Sequence, residues 1–150
     1  MSQAELRIDL DTSLGYLLKE ASSALHNAME EVLRPLNMNI THYSCLELLA
    51  QRPGLSNSEL ARGAFVTRQS MNVLLHSLER DGIVTRPERA SSGRALPTEL
   101  TAKGRKQLAA ASAAVRQVED RMKADLSDAE RLEFGGMLAR CVSALRPAVP

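Results

Sequence analysis

The stretch SNSELARGAFVTRQSMNVLLHSLERD, residues 56–81, decides the fold of this chain. It opens with Ser56 and Glu59, whose spacing is that of a capping box, in which each side chain bonds an unpaired backbone amide of the first helical turn. Residues 63–66 then form a short turn before a second helix whose apolar residues share one face. Two short helices joined by a tight turn predict a helix-turn-helix, a unit that seats its second helix in the major groove of DNA.

The second helix of this unit separates a packing face from a polar face. Thr67 is placed to cap its N-terminus, and Gly82 suits the left-handed residue that follows a helix end. At about 100° per residue, the residues that point inward are Met71, Leu74, Leu75 and Leu78. The residues on or beside the opposite face are Arg68, Gln69, Ser70, Asn72, Val73, His76 and Arg80. The polar members of this second set are candidates for contacts with base edges and phosphates.

A β-hairpin is predicted directly after the second helix. Residues 83–86 and 96–100 have the composition of two short strands, and Pro97 places the second strand at a sheet edge. The tip between the strands carries Arg89 and Arg94 among small residues. An arginine on such a tip can enter the narrow minor groove, where the electrostatic potential is most negative. The hairpin therefore extends the prediction to a winged helix-turn-helix.

The net charge of +1 hides an uneven distribution along the chain. Residues 52–106 carry ten Lys and Arg against five Asp and Glu, a net charge of +5. Residues 1–51 carry three against seven, a net charge of −4, and residues 107–150 are neutral. The positive charge thus coincides with the helix-turn-helix and the wing. This coincidence favours a surface that binds double-stranded DNA over a solvent-exposed basic surface with no binding role.

Amphipathic helices flank this central unit on both sides. The first, over residues 12–34, repeats apolar residues at three- and four-residue steps and ends at Pro35. A second helix, with Asn39 as its N-cap, leads into the helix-turn-helix. After Thr101 a long helix carries a seam of apolar residues that resembles a coiled-coil seam, and a last helix follows Ser127.

The flanking helices carry more apolar surface than a small DNA-binding domain needs. We therefore expect a mostly α fold with a small β-hairpin wing, one domain over residues 1–150 that forms a homodimer. Residues 12–36 and 102–146 are the expected dimerisation helices, and residues 39–101 the DNA-binding lobe. The alternative is that the same apolar residues form a bundle within one monomer.

Other classes of protein have less support in the sequence. No run approaches about 18 apolar residues, so no membrane partner is expected, and the acidic N-terminus lacks the layout of a signal peptide, which favours a cytoplasmic protein. The chain has no metal-spaced cluster, no Gly-rich phosphate loop and no nucleophile elbow, so we expect neither an enzyme nor a cofactor or metal site. With two Tyr and two Phe, it offers no stacking platform for single-stranded nucleic acid or RNA.

The combination of these motifs resembles the MarR (multiple-antibiotic-resistance regulator) family over roughly residues 12–145. The matching segments are Ser-x-x-Glu-Leu-Ala at 56–61, LERDGIV at 78–84, a wing ending in arginine, and Leu-Thr-x-x-Gly-Arg at 100–105. The resemblance implies a homodimeric winged-helix repressor of a palindromic operator. Such repressors often regulate their own synthesis and are often released from DNA by small aromatic or phenolic acids.

The resemblance also implies which residues bind DNA. Arg94 corresponds to the wing arginine, although Ser92 stands where family members commonly have an Asp that helps to fix the wing. Gln or Asn can bond adenine through two hydrogen bonds, Arg can do the same with guanine, and small hydroxyls suit phosphate. The expected DNA-binding residues are Ser56, Thr67, Arg68, Gln69, Ser70, Asn72, Val73, His76, Arg89 and Arg94.

An effector site is implied by the same resemblance. In the family a pocket lies between the dimerisation helices and the DNA-binding lobe, lined by the first, second and fifth helices. The aromatic or imidazole candidates here are Tyr16, His26, His42 and Tyr43. Such side chains would suit an aryl carboxylate, and the alternative for each is a structural place in the core or on a helix surface.

A cysteine-based redox-sensing regulator of the same fold is the alternative function. Some MarR relatives switch by oxidation of a cysteine near the start of the first long helix, where this chain has Leu14, Gly15 and Tyr16. Cys45 and Cys141 lie on or near apolar faces instead, and buried thiols are usually inert. The residues therefore favour control by a ligand over control by oxidation.

Overall fold

A computed structural model describes residues 7–86 and 97–147, which form six α-helices and a two-stranded sheet. The helices are α1 (Leu14–Leu33), α2 (Ile40–Gln51), α3 (Asn57–Gly63), α4 (Arg68–Arg80), α5 (Ala102–Lys123) and α6 (Asp128–Leu145). A 3₁₀ turn, Arg34–Leu36, follows α1, and the strands are β1 (Val84–Thr85) and β2 (Glu99–Leu100). The predicted fold class, mostly α with a small hairpin, is confirmed.

The helix ends lie where the sequence marks them. In the predicted capping box, the Glu59 amide donates to Ser56 Oγ at 3.2 Å and the Ser56 amide donates to Glu59 Oε1 at 3.1 Å. Asn39 and Thr67 cap α2 and α4, accepting backbone amide hydrogens at 2.8 and 3.0 Å. A second capping box, with Ser127 as N-cap, opens α6. These polar contacts satisfy amides that a helix leaves unpaired at its start.

Among the described residues, the paired part of the hairpin is shorter than predicted. β1 and β2 are antiparallel and pair only Val84 with Leu100 and Thr85 with Glu99. The predicted first strand began at residue 83. The bond from the Thr101 amide to the Ile83 carbonyl, 3.1 Å long, flanks the Val84–Leu100 pair, and the paired strand begins at Val84. Within the described part of the second strand, Pro97 has no amide hydrogen with which to extend the ladder.

The chain divides into two compact units, one within residues 1–115 and the other within residues 116–150. In the first unit one hydrophobic core joins the end of α1, α2, α3, α4, the hairpin and part of α5. Its fully buried side chains are Leu33, Cys45, Leu46, Leu60, Met71, Leu75, Leu78 and Val84. The core thus fixes the buried face of α4 and leaves its opposite face at the surface.

The apolar seam of α5 is partly used inside the single chain. Leu108, Ala111 and Val115 are buried and belong to the core of the first unit, so these three residues pack within the single chain. Met122, further along the seam, is half-exposed. None of the described helices combines the length and the hydropathy needed to cross a membrane.

Candidate nucleic-acid interface

The exposed face of α4 carries most of the predicted DNA-binding side chains. Met71, Leu75 and Leu78 are buried on the opposite face, since residues three or four apart share one side of a helix. All the predicted DNA-binding residues that the structure describes are exposed, namely Ser56, Thr67, Arg68, Gln69, Ser70, Asn72, Val73 and His76. Their exposure is what contact with DNA requires, and their roles stay predictions.

The first turn of α4 suits an anion. The Ser70 amide donates to Thr67 Oγ1 at 3.0 Å, and that hydroxyl donates to Ser70 Oγ at 2.9 Å. The turn contains no acidic residue, and Arg68 adds a positive charge to the positive end of the helix dipole. A phosphate near this turn would therefore be stabilised by the dipole and by the guanidinium.

Asn72 and Gln69 differ in how free they are to read a base. The side-chain amide of Asn57, on α3, donates to Asn72 Oδ1, so Asn72 is tied to the neighbouring helix. Gln69 makes no side-chain hydrogen bond with the described residues, which leaves both its amide oxygen and its amide nitrogen available. Asn57 was missed by the sequence reasoning because the contact joins residues that are 15 positions apart on two helices.

The wing is attached to α4 and α5 at its base. Thr101 Oγ1 donates to the Gly82 carbonyl at 2.6 Å, and the Gly104 amide donates back to the same hydroxyl at 3.1 Å. Arg86, just after β1, lies 3.8 Å from a carboxylate oxygen of Glu79 on α4. The predicted wing residues Arg89 and Arg94 lie outside the described residues.

Of the four effector candidates, the two on α2 are partly buried and the two on α1 are exposed. Tyr16 and His26 lie at the surface of α1, so the alternative of a helix-surface role fits them in the single chain. Tyr43 packs against the hydrophobic core. Burial lowers the pKa of His42 from its usual value, and the Gln107 side chain and the charge of Asp81 oppose this shift.

His42 and Gln107 each have one buried polar atom without a hydrogen bond among the described residues. His42 Nε2 and Gln107 Oε1 are both buried, and neither completes a hydrogen bond with a described residue. Because the lowered pKa keeps the imidazole neutral at pH 7, the ring has one N–H donor and one acceptor nitrogen. Gln107 was not among the predicted residues, and no local pattern in the sequence of α5 distinguishes it.

The two cysteines differ in their surroundings. Burial raises the pKa of Cys45 to about 12, so its thiol stays protonated and is a poor nucleophile at neutral pH. Cys141 is exposed on α6, so burial does not protect its thiol in the single chain. Cys45 therefore does not have the properties of a redox sensor.

Two helices expose apolar side chains to solvent. In the first unit, Leu14 on α1 is 80% exposed, and Leu17 and Leu18 follow it on the same helix. In the second unit, α6 contains no buried residue, and Leu145 is 85% exposed. Clusters of exposed apolar side chains, such as the three leucines of α1, are typical of surfaces that bind another protein chain.

A family model described as the MarR family matches residues 36–95. The HTH-type transcriptional repressor Rv2887 of Mycobacterium tuberculosis is 44% identical to this chain over 130 residues, which cover 87% of this chain and 94% of the repressor.

Two solved structures of the same M. tuberculosis MarR family protein, Rv2887, are similar to this chain over 87% of its length. The complex with DNA aligns with a TM-score of 0.72 at 40% identity and covers 87% of this chain and 98% of that one. The complex with salicylic acid aligns with a TM-score of 0.73 at 43% identity and covers 87% and 96%.

Proposed function

The chain belongs to the MarR family of transcriptional regulators, and we propose that it is a homodimeric repressor of a palindromic operator, released from DNA by a small aromatic acid. Members of this family are DNA-binding regulators and not enzymes. The observation that carries the proposal is the exposed polar face of α4, which follows a capped α3 and a short turn. The structure of Rv2887 in complex with DNA supports it.

In this proposal α4 lies in the major groove with its N-terminal turns toward the bases. Gln69 bonds an adenine edge through its free amide group, and Arg68 is close enough to the helix start to reach a base or a phosphate. The hydroxyls of Ser56 and Ser70 bind phosphate oxygens. The net charge of +5 over residues 52–106 supplies the favourable electrostatic term that all sequences of DNA share.

Homodimerisation is supported by the apolar residues that α1 and α6 expose. A palindromic operator presents two identical half-sites, and a two-fold dimer presents two identical recognition helices to them. Association through these helices would remove the exposed leucines from water, which is favourable in proportion to the apolar area buried.

Replacement of Arg94 by Ala tests the proposed wing contact. We expect weaker binding to the operator. The slope of log K against the logarithm of the salt concentration should also be smaller in magnitude by about one, because one cation fewer displaces counterions from DNA. Fluorescence anisotropy titrations at several salt concentrations measure both quantities. Arg7→Ala is the matched control, since this exposed arginine lies outside both the basic segment and the proposed dimerisation helices. Unchanged affinity and slope in Arg94→Ala would remove the wing arginine from the DNA contact.

The proposed effector site lies at His42 and Gln107. A salicylate carboxylate could accept from the neutral imidazole, and its phenolic hydroxyl could donate to Gln107 Oε1, so that both buried atoms gain partners. The salicylic acid complex of Rv2887 supports this class of ligand.

Salicylate is therefore expected to bind the protein and to release it from DNA. We expect Gln107→Leu to weaken salicylate binding by about tenfold, because the ligand loses a buried hydrogen bond. Gln117→Leu, an exposed position on the same helix, is the matched control. Isothermal titration calorimetry measures the affinity, and anisotropy of labelled operator measures the release. Equal salicylate affinity in the wild type and Gln107→Leu would place the effector elsewhere.

A further inference from the structure

The turn between α3 and α4 contains a residue whose backbone conformation does not suit its side chain. α3 ends in a Schellman motif, in which the Phe65 amide donates to the Arg62 carbonyl at 3.2 Å and the Val66 amide donates to the Ala61 carbonyl at 3.0 Å. This motif needs a left-handed residue at its centre. Phe65 occupies that place with φ of +60°.

The same motif occurs at two other helix ends in the described chain, each with a well-suited residue. Asn37 follows the 3₁₀ turn with φ of 55°, and Gly82 follows α4 with φ of 74°. Glycine has no Cβ to clash in this conformation, and asparagine tolerates it. A bulky apolar residue at positive φ is a genuine exception. The local backbone geometry therefore favours Gly or Asn at position 65 and does not explain Phe.

Burial does not explain Phe65 either. The residue is 87% exposed, the highest value among the large apolar residues that the structure describes. Its neighbours behave differently, since Ala64 is buried and Val66 packs against the core. Strained residues that the fold does not use are typical of functional sites. Phe65 is thus strained and solvated at the same time, which indicates a role outside the isolated chain.

The position of Phe65 indicates what that role is. The residue lies two positions before Thr67, the N-cap of α4, and the start of a recognition helix is the part that comes closest to the bases. Phe is one of the side chains that make apolar contacts with the thymine methyl group in the major groove. We propose that the ring of Phe65 packs against the apolar surface of the operator, either a thymine methyl group or a deoxyribose. This inference rests on the proposed role of α4 in DNA binding.

The test compares Phe65→Asn with the wild type, using a duplex that the wild type enriches from a random pool. We expect the affinity of Phe65→Asn for this duplex to fall about five- to tenfold, because the apolar contact with DNA is lost. The Tm of the free protein should stay equal or rise by roughly 2–4 °C, because Asn relieves the left-handed strain and no buried ring is lost. Phe65→Tyr, which keeps the ring, should bind within about twofold of the wild type.

One control distinguishes an effect of the Phe65 ring from an effect of the turn, and another identifies the DNA group that the ring contacts. Asn37→Gly changes the left-handed residue of another Schellman motif and should leave the affinity for DNA unchanged. Replacing each thymine of the duplex by deoxyuridine removes one methyl group at a time. If one deoxyuridine substitution lowers the affinity of the wild type but not that of Phe65→Asn, the ring contacts that methyl group. If Phe65→Asn lowers the affinity but no deoxyuridine substitution does, the ring contacts a deoxyribose.

Three results would count against the inference. If Phe65→Asn binds the duplex as tightly as the wild type, the ring does not contact DNA. If Phe65→Asn lowers the Tm, the ring packs against protein, within the chain or in a second copy of it. If the wild type enriches no duplex at all, the proposed function itself is overturned, and the inference falls with it.

Discussion

Gln69→Ala is expected to reduce affinity for the operator by roughly tenfold to a hundredfold, while affinity for a random duplex changes by less than about twofold. The reason is that Gln69 is exposed near the start of α4, with its amide oxygen and nitrogen both unpaired among the described residues. A side chain that bonds a base edge contributes to specific binding, whereas binding to random DNA comes from phosphate contacts.

Anisotropy titrations with the enriched duplex and with a random duplex, at one salt concentration, measure the two affinities. Gln117→Ala is the matched control, because it removes an exposed glutamine from α5 and should change neither affinity. Equal losses on the two duplexes would mean that Gln69 supports general DNA binding and does not read sequence.

Gly104→Ala is expected to destabilise the protein by about 1–3 kcal/mol, the range for overpacking a well-packed site. A Cβ at this position would lie 2.2 Å from the Ile83 carbonyl oxygen, a contact that no real Cβ makes. The Ile83 oxygen is fixed in the backbone and also accepts from the Thr101 amide at 3.1 Å. Alanine can be accommodated only if α5 moves away from the base of the wing.

Urea unfolding of Gly104→Ala and the wild type measures this difference, provided that both have the same m value. Gly135→Ala is the matched control, because a Cβ there meets nothing within 4 Å and Ala is the better helix former. We expect the control to be neutral or slightly stabilising. If Gly104→Ala is as stable as the wild type, the packing of α5 against β1 is looser than the structure implies.

The features that could be predicted from the sequence are those set by local chemistry. The capping box of Ser56 and Glu59 depends on a three-residue spacing, and the buried face of α4 depends on helical periodicity. Gly82 was predicted at a helix end because the left-handed conformation favours glycine. Each of these signals lies within one or two helical turns of the chain, so one sequence is enough to show it.

The features that could not be predicted depend on which helices meet. His42 and Gln107 are brought together from α2 and α5, and Asn57 meets Asn72 across the helix-turn-helix. Periodicity marked the α5 seam as apolar, but it could not indicate that Leu108 packs inside the single chain. The strain at Phe65 was missed as well, because the sequence favours a turn there without fixing the φ of each residue.

Dimeric binding to an operator is tested by selecting bound duplexes from a random pool with the wild-type protein and sequencing them. We expect an enriched palindrome whose two half-sites are centred about one helical turn apart, or a multiple of it, because a two-fold dimer presents one α4 to each half-site. Enrichment of a single asymmetric site, or no enrichment over the starting pool, would contradict the proposal that this chain is a dimeric reader of operator DNA.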